Sequence, residues 1–189
     1  LRTLVGAEMC IRASRGGLTV REGDHEVGVG VDVVERVLDH TDPHADLVVP
    51  LANGEPTAVL DVIEEHADSL EGVRVHQMHA LHDRPYLHGL HGDRLRHVSY
   101  FLSEVTRPAY WDGSIDLVPA HFSEVPEVLR RFTRCSMVVA AASPPDRHGY
   151  FSLGTNADYV ASMIGRVPFF LEATPHMPRT HGSNVIHHS

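Results

Sequence analysis

Residues 136–154 read Ser-Met-Val-Val-Ala-Ala-Ala-Ser-Pro-Pro-Asp-Arg-His-Gly-Tyr-Phe-Ser-Leu-Gly, an apolar run that ends abruptly in a stiff polar loop. The run Ser136 to Ala142 is short and unbroken, which fits a strand buried on both faces, as parallel strands are. Ser143 must stay extended because a proline follows it, and Pro144 and Pro145 have fixed φ and no N–H to donate. Gly149 and Gly154 permit positive φ or close backbone approach. Thr155 with Asp158 three residues on matches an N-cap pair, so a helix is expected over 156–165. A strand, loop and helix of this kind present free N–H groups and a partial positive charge, and can hold a carboxylate, a thioester oxygen or a phosphate. An ordinary tight connection is the alternative.

The same alternation recurs on both sides. Val167 to Leu171 is a second apolar run, followed by Met177-Pro-Arg-Thr-His-Gly182. There Pro178 sets the backbone before Arg179, which can clamp a carboxylate or phosphate, and His181 can exchange a proton near neutrality. Upstream, helical spacing over 31–39 precedes a strand at 46–51, a helix from Pro56 to about Leu70 and a strand at 73–78. A short strand within 97–102, a helix over 106–111 closed by Asp112-Gly113, a strand at 115–118 and a helix over 124–132 complete the pattern. Repeated βα units predict the α/β class, with an open, mostly parallel sheet flanked by helices. In such a sheet the carboxyl ends of the strands form one edge, where Asn53-Gly54, His79, the Pro145 to Gly149 loop and Arg179 to Gly182 should converge. Residues 1–30 are the least legible, with Arg15-Gly-Gly and Val27-Gly-Val-Gly pointing to loop or edge hairpin, and 31–189 read as one domain.

Composition excludes several chemistries. The chain has 189 residues, 42% hydrophobic, enough for one domain with a core. No apolar stretch approaches the ~18 residues of a membrane span, and no signal peptide is recognisable. The net charge of −9 argues against general nucleic-acid affinity. All 16 basic residues are arginine, which rules out a P-loop lysine, a pyridoxal phosphate Schiff base and a lysine aldolase within these residues. Gly149 and Gly154 are too far apart for Gly-x-Gly, so nicotinamide binding is disfavoured. Cys10 and Cys135 are isolated and read as reduced thiols of a cytoplasmic protein. Among 16 histidines, His76, His79 and His82 are spaced three apart, and His88 and His91 repeat the interval. Val73 to Met78 alternates like a strand and Asp83-Arg84-Pro85 breaks any helix, so the imidazoles should diverge and no metal site is expected. His187 and His188 read as solvated chain-end residues.

The two loops resemble the acetyl-CoA hydrolase and 4-hydroxybutyrate CoA-transferase family, within the type I CoA-transferases. That family carries Ser-Pro-Pro-Asp-x-His-Gly-Tyr-x-Ser-Leu-Gly and, after one strand, Met-Pro-Arg-Thr-x-Gly in its N-terminal half. Asn53-Gly-Glu-Pro56 resembles its first strand-to-helix loop, and Ile115 to Pro126 its middle strand and next helix, so the resemblance runs from about residue 31 to the end. It implies an N-terminal CoA-transferase domain fold and a reaction in which a glutamate attacks an acyl-CoA thioester and passes through a glutamyl-CoA thioester. CoA then goes to another carboxylate, or the acyl group to water. The family's glutamate lies in a C-terminal half, in a His-[Ser/Thr]-Glu context absent here, so no catalytic nucleophile is expected among these residues. Ser103-Glu104 and Ser123-Glu124 lack the preceding histidine, Glu124 reads as first-turn helix chemistry, and Glu172 reads more readily as a solvated strand end than as a site carboxylate.

The resemblance implies coenzyme A as substrate, with no covalently bound cofactor, an acyl-CoA and a small acetate-like carboxylate as ligands, and a C-terminal CoA-transferase domain or a second copy of the chain as partner. Nucleic acid and membrane are not expected partners. His148 and His181 would orient the substrate, and Arg179 would hold a charged group or brace its loop. Gly149, Ser152 and Gly154 would form the floor, with Asn53, Gly54, Pro145, Thr180 and Gly182 alongside. Ser152 as a helix cap is the alternative, and Asp146 is expected to bond its own loop rather than act as a base. Three other classes remain: a sugar-phosphate isomerase on a similar sheet, a noncatalytic binding or assembly module, and a histidine-based metal binder.

Overall fold

The computed structural model describes the backbone of residues 9–14, 17–22, 25–29 and 36–187, and the side chains of 36–187. Three strands, β1 (Met9–Ser14), β2 (Gly17–Glu22) and β3 (His25–Val29), form an antiparallel meander. Then come helix α1 (Arg36–Asp39), β4 (Asp46–Val48), α2 (Thr57–Glu65), β5 (Val73–Gln77), β6 (Leu95–Ser99), α3 (Arg107–Trp111), β7 (Asp116–Leu117) and α4 (Val125–Phe132). The chain closes with β8 (Cys135–Ala142), β9 (Tyr150–Ser152), β10 (Phe169–Ala173) and β11 (Val185–His187).

Nine strands form one sheet in the order β3-β2-β1-β10-β8-β4-β5-β6-β7, and every neighbour pair from β1 to β7 along that order is parallel. This is the α/β class with an open, mostly parallel sheet. The meander occupies one end, where the edge hairpin was expected, and β1 pairs with β10 from Met9↔Phe170 to Arg12↔Ala173. The helical spacing over 31–35 lies outside the described residues.

The unbroken apolar runs are explained by two covered faces. Successive strand residues point to opposite sides: Leu47, Val49, Met137, Val139 and Phe170 enter one core with Val59, Leu60 and Ile63 of α2. Val48, Val138, Ala140, Phe169 and Leu171 enter the other with Val125 and Leu129 of α4 and with Tyr159 and Val160. Each fully buried Leu, Val or Phe contributes roughly 1.5–3 kcal/mol of transfer free energy, so the apolar strand runs are what hold the sheet between its layers.

Several boundaries differ from expectation. β4 leaves the ladder at Val48 because Pro50 and a tight 3-10 turn at Ala52–Gly54 follow. The helix after Pro56 stops at Glu65, and a 3-10 turn at Ala67–Ser69 completes the path. β6 begins at Leu95 and ends at Ser99, whose Oγ donates to Phe101 O at 2.8 Å to close a turn. The largest correction concerns 156–165. Two 3-10 turns, Gly154–Asn156 and Tyr159–Met163, replace the expected α-helix, and Thr155 caps neither. Asp158 does cap the second turn, accepting from Val160 N at 3.0 Å, but its other oxygen and the side chain of Asn156 are committed to Leu51, far away in sequence. Long-range bonds have taken the polar groups that would have started a helix, and with them the expected anion-binding terminus.

Candidate functional site

The two motif loops leave neighbouring strands, β8 and β10, at their carboxyl ends. Asp146 organises the first: its Oδ1 accepts from the N–H groups of His148 (2.8 Å) and Tyr150 (3.0 Å), and Gly149 N donates to Asp146 O at 3.0 Å. The bond from Tyr150 is the main influence holding the Asp146 carboxyl below its ordinary range. Asp146 therefore shapes its loop, as its residue type and position imply. The base of the loop is closed by Ser143 N donating to Ser152 O (2.8 Å) and Ser152 N donating to Ser143 Oγ (3.0 Å).

Ser152 joins this loop to the second. It is fully buried, and its Oγ donates to Thr180 O at 3.1 Å while Gly154 N (3.1 Å), Thr180 N (3.2 Å) and Asn184 Nδ2 (3.3 Å) converge on it. A hydroxyl has one donor and two lone pairs, so this oxygen is saturated by protein. Ser152 supports the floor from below and caps no helix. Thr180 adds a bond from Oγ1 to Gly154 O at 2.8 Å, Leu153 N donates to Asn184 O at 2.9 Å, and β11 returns antiparallel to β9. Gly154 is required here: its φ is +62°, and a Cβ would lie 2.6 Å from Pro178 O.

Arg179 belongs to the same block. Its Nη2 donates to Pro144 O (3.2 Å) and to Tyr150 O, and its Nη1 lies 3.6 Å from Asp146 Oδ2. Of the two roles left open by the sequence, the guanidinium performs the bracing. His187 is also part of the block and not a solvated end: its Nε2 donates to His148 O at 3.1 Å, and its ring packs on Tyr150 at a centroid distance of 4.7 Å. His188 lies outside the described residues.

The loop after β4 meets this block from the next strand over. Leu51 N donates to Asp158 Oδ2 at 2.7 Å, Asn156 Nδ2 donates to Leu51 O, and Ala52 N donates to His79 O at 3.0 Å. Gly54 is buried at the crossing, where a Cβ would stand 2.6 Å from Pro50 Cβ and 2.9 Å from Asn156 Cβ. Tyr159 ties the strand ends beneath, its hydroxyl donating to Val49 O at 2.5 Å and accepting from Met78 N at 3.2 Å. Burial pushes the Asp158 carboxyl up to about 6, against the opposing bonds from Val160 and Leu51. The sheet edge thus carries one connected rim. Asn53, His148, His181 and Gly182 are exposed on it, Pro145, Gly149 and Thr180 are half-buried, and Gly54, Ser152 and Gly154 lie beneath.

Glu172 is not the solvated strand end that its position implied. It is 6% exposed, and its Oε2 accepts from Ala58 N (2.9 Å) and Val59 N (3.4 Å) at the start of α2, which has no cap of its own. Burial raises its carboxyl above the ordinary range, with these amides opposing. Glu124 does act as helix-start chemistry, its Oε2 accepting from His121 N at 3.1 Å.

His76, His79 and His82 go to three neighbourhoods. His76 bonds Tyr100 OH at 2.9 Å and Asp46 Oδ1 at 3.2 Å, His79 stands edge-on to Phe101 with centroids 6.0 Å apart, and His82 pairs with Glu55. Among the described residues no group of three His, Cys, Asp or Glu side chains is placed to hold a metal ion, and no helix is long and apolar enough to cross a membrane. Burial pushes the Cys135 thiol up to about 12, so it is no nucleophile near neutrality. The sequence did not point to Asn184, nor to the long-range roles of Asn156 and Asp158, which it read as helix-start residues. Each acts through a partner loop, and nothing local announces that.

Known proteins share this fold. Residues 34–189 match the family model described as acetyl-CoA hydrolase/transferase N-terminal domain. The chain is 33% identical over 145 residues to a succinyl-CoA:cyclohexane-1-carboxylate CoA transferase of Geobacter metallireducens, covering 75% of this chain and 32% of the relative. It is 27% identical to a 4-hydroxybutyrate coenzyme A transferase of Clostridium kluyveri, covering 81% and 36%. Among solved structures, RipA from Yersinia pestis superposes with a TM-score of 0.74 at 24% identity, over 84% of this chain and 42% of that one. A 4-hydroxybutyrate CoA-transferase from Porphyromonas gingivalis superposes with a TM-score of 0.65 at 25% identity, over 82% and 35%. The chain spans about a third of the length of the curated relatives it matches. By this match over most of its length, the chain belongs to the acetyl-CoA hydrolase/transferase family and carries that family's N-terminal domain.

Proposed function

We propose that residues 31–189 form the acyl and carboxylate side of a thioester site in a CoA-transferase or acyl-CoA hydrolase. The nucleophilic glutamate would come from outside residues 1–189. Coenzyme A enters as substrate, and no prosthetic group is invoked. The observation that carries this reading is the rim itself: three loops from β4, β8 and β10, bonded to one another through Ser152, Arg179, Asn156 and Asp158, with the family's motif residues on it. A pre-formed rim suits chemistry in which two carboxylates and a thioester must be held in line, because ordering the loops during reaction would raise the barrier. Leu81, Phe101 and Tyr150 are exposed apolar side chains on loops at the same edge, surface that a second domain would cover.

In the mechanism, the imported carboxylate attacks the acyl-CoA carbonyl, CoA thiolate leaves and then attacks the resulting anhydride, and the acyl group departs as free carboxylate. Water then hydrolyses the glutamyl-CoA thioester to free CoA and the glutamate, or an acceptor carboxylate attacks it. In the second case CoA thiolate leaves and attacks the acceptor's carbonyl in the new anhydride, giving the new acyl-CoA and freeing the glutamate. The rim's part is to seat the departing and incoming carboxylates. His148 and His181, exposed on its two main loops, are the proton-bearing groups proposed for that seat.

The test is consumption of acetyl-CoA with a small carboxylate acceptor present, read as free thiol for a hydrolase and as new acyl-CoA for a transferase. The purified 189-residue chain should consume none, and adding a C-terminal half that bears the glutamate should restore turnover. Turnover by the chain alone would show that the nucleophile is misassigned. No turnover after addition, with CoA thioesters still bound, would favour a noncatalytic binding module.

A further inference from the structure

A second feature of the same edge lies one strand further on, where the turn after β4 meets the loop after β5. Glu55 ends that turn with its side chain 1% exposed, while the side chain of His82 is 59% exposed. Glu55 Oε1 accepts from Gln77 Nε2 (2.9 Å) and Leu81 N (2.7 Å), and Gln77 Oε1 accepts from Tyr86 OH (3.0 Å). Glu55 Oε2 lies 2.6 Å from His82 Nδ1. A carboxylate at that distance from a ring nitrogen requires the proton on Nδ1, which fixes the ring's orientation and leaves Nε2 as the outward atom.

Three further observations locate the pair in the rim. The turn that bears Glu55 is the one bonded to Asn156, Asp158 and His79. Ala52 within it has φ +48°, a left-handed conformation that a non-glycine residue adopts only under constraint, so the surrounding bonds hold a strained bend that tucks Glu55 inward. Finally, two arginines of these loops are committed elsewhere: Arg84 bonds Asp61, Glu64 and Thr57 O, and Arg179 bonds Pro144 O and Tyr150 O. A carboxylate substrate arriving at this edge needs a donor, and these two cations are turned to the protein.

We propose that Glu55 holds His82 as a hydrogen-bond donor in the cleft, with His82 Nε2–H binding the carboxylate of the small acid that accepts or leaves the thioester. This rests on the thioester-site reading above. Glu55 is a positioning residue, and His82 touches substrate. When the ring is protonated, the pair is neutral overall, so the buried carboxylate does not repel the incoming one, while Nε2–H offers a charge-assisted bond. A purely structural clamp needs only Nδ1, and that difference supplies the test.

His82→Asn keeps an N–H near the Nδ1 position and deletes the Nε2 position. In the acetyl-CoA assay with the C-terminal half and a carboxylate acceptor present, read as new acyl-CoA, it should raise KM for the acceptor about tenfold or more, the loss of one charge-assisted bond, with kcat little changed and the melting temperature within a degree or so of the parent. His82→Gln, which restores a donor near Nε2, should recover part of that loss. Glu55→Gln should behave like His82→Asn if it folds, and the two His82 variants decide the matter if it does not. An unaltered KM in His82→Asn, with the parent turning over, overturns the proposal and leaves the family reading intact. If the parent itself shows no turnover, that reading fails, and ring NMR of the 189-residue chain decides the binding role separately. With the acid bound, the His82 ring should carry protons on both nitrogens, and its resonances should move saturably with added butyrate. Resonances that stay unmoved, or a bound-state ring with a proton on one nitrogen alone, overturn it.

Discussion

The two ends of the parallel sheet bury carboxylates by opposite means. At the amino end, Asp46 opens β4 and is fully buried, accepting from Arg74 Nε (2.6 Å), Arg74 Nη2 (3.0 Å) and Arg134 N (2.6 Å), with the His76 ring nitrogen Nε2 in ion-pair range at 3.2 Å. Burial alone would raise its pKa, but the bonds from His76, Arg134 and Arg74 outweigh it and hold the carboxyl at about 2. At the carboxyl end, Asp158 and Glu172 accept backbone N–H bonds from loops and a helix start, Glu172 with a further bond from the Thr57 side chain. There burial wins, and both carboxyls titrate above their ordinary range. Arginine and histidine side chains surround Asp46 between strands, whereas backbone amides hold Asp158 and Glu172 among the loops. A rim shaped by its own backbone is the arrangement a ligand-handling edge needs, because fixed dipoles need not reorganise when a charged substrate arrives.

Removing the amino-end lock should have the largest effect. Asp46→Asn removes the charge that Arg74 and the His76 ring face, and because Arg74 is half exposed the cost falls at the low end of that for a broken buried pair, about 3 kcal/mol. Urea unfolding at pH 7 should show it as a lowered midpoint at constant slope. Because the Asp46 carboxyl is depressed in the folded protein, its contribution is present above about pH 4 and is lost as pH falls through about 2. The variant should therefore lose less on acidification than the parent. An unchanged midpoint at neutral pH would mean that the pairing at this end does not support the sheet.

Asp158 should respond in the opposite direction. Its carboxyl is raised from 3.8 to about 6 in the folded protein, so the folded state binds that proton more tightly than the unfolded chain does. The resulting stability is fully present below about pH 4 and is lost as pH rises through about 6, a change of roughly 3 kcal/mol. Asp158→Asn, which stays neutral, should flatten that decline between pH 4 and 7 in a series of urea titrations. If parent and variant show parallel pH profiles, the contrast between the two ends is wrong at this residue.

How much of this was legible follows the same division. The apolar runs of β4, β8 and β10 read correctly because two covered faces leave no polar face to interrupt them, and β5 read correctly from its alternation, so period and length were sufficient signals. The motif loops read correctly as rigid because Pro144, Pro145 and the glycines act locally. What failed was every side chain whose partner is distant in sequence. Asn156 and Asp158 look like helix-start residues, yet their partner is Leu51; Glu172 looks like a strand end in water, yet it caps α2. Arg179 looks like a free clamp, and its partners Pro144 and Tyr150 lie a full strand away. Propensity reports what a residue does with its neighbours in sequence, and at this edge the polar residues are used by neighbours in space. The pair Glu55 and His82 escaped notice for the same reason: 27 positions separate them, and only the sharp bend at Ala52 brings them together.

The smallest of these effects isolates the rim from charge altogether. Ser152→Ala removes one buried oxygen and nothing ionisable, leaving Gly154 N, Thr180 N and Asn184 Nδ2 without the acceptor they share. Some of those groups keep a second partner, Asn184 Nδ2 on Thr180 Oγ1 for one, so the cost should be about 2 kcal/mol, within the range for unsatisfied buried donors. It should be the same at pH 5 and pH 8, unlike the changes at Asp46 and Asp158. Hydrogen exchange is the sharper measurement. If Ser152 joins two loops into one unit, the amides of Gly154 and Thr180, 26 residues apart, should lose protection together while those of β5 and β6 stay as they were. Faster exchange at Gly154 alone would mean that the loops are merely adjacent, and the rim would then have to be assembled by ligand rather than offered to it.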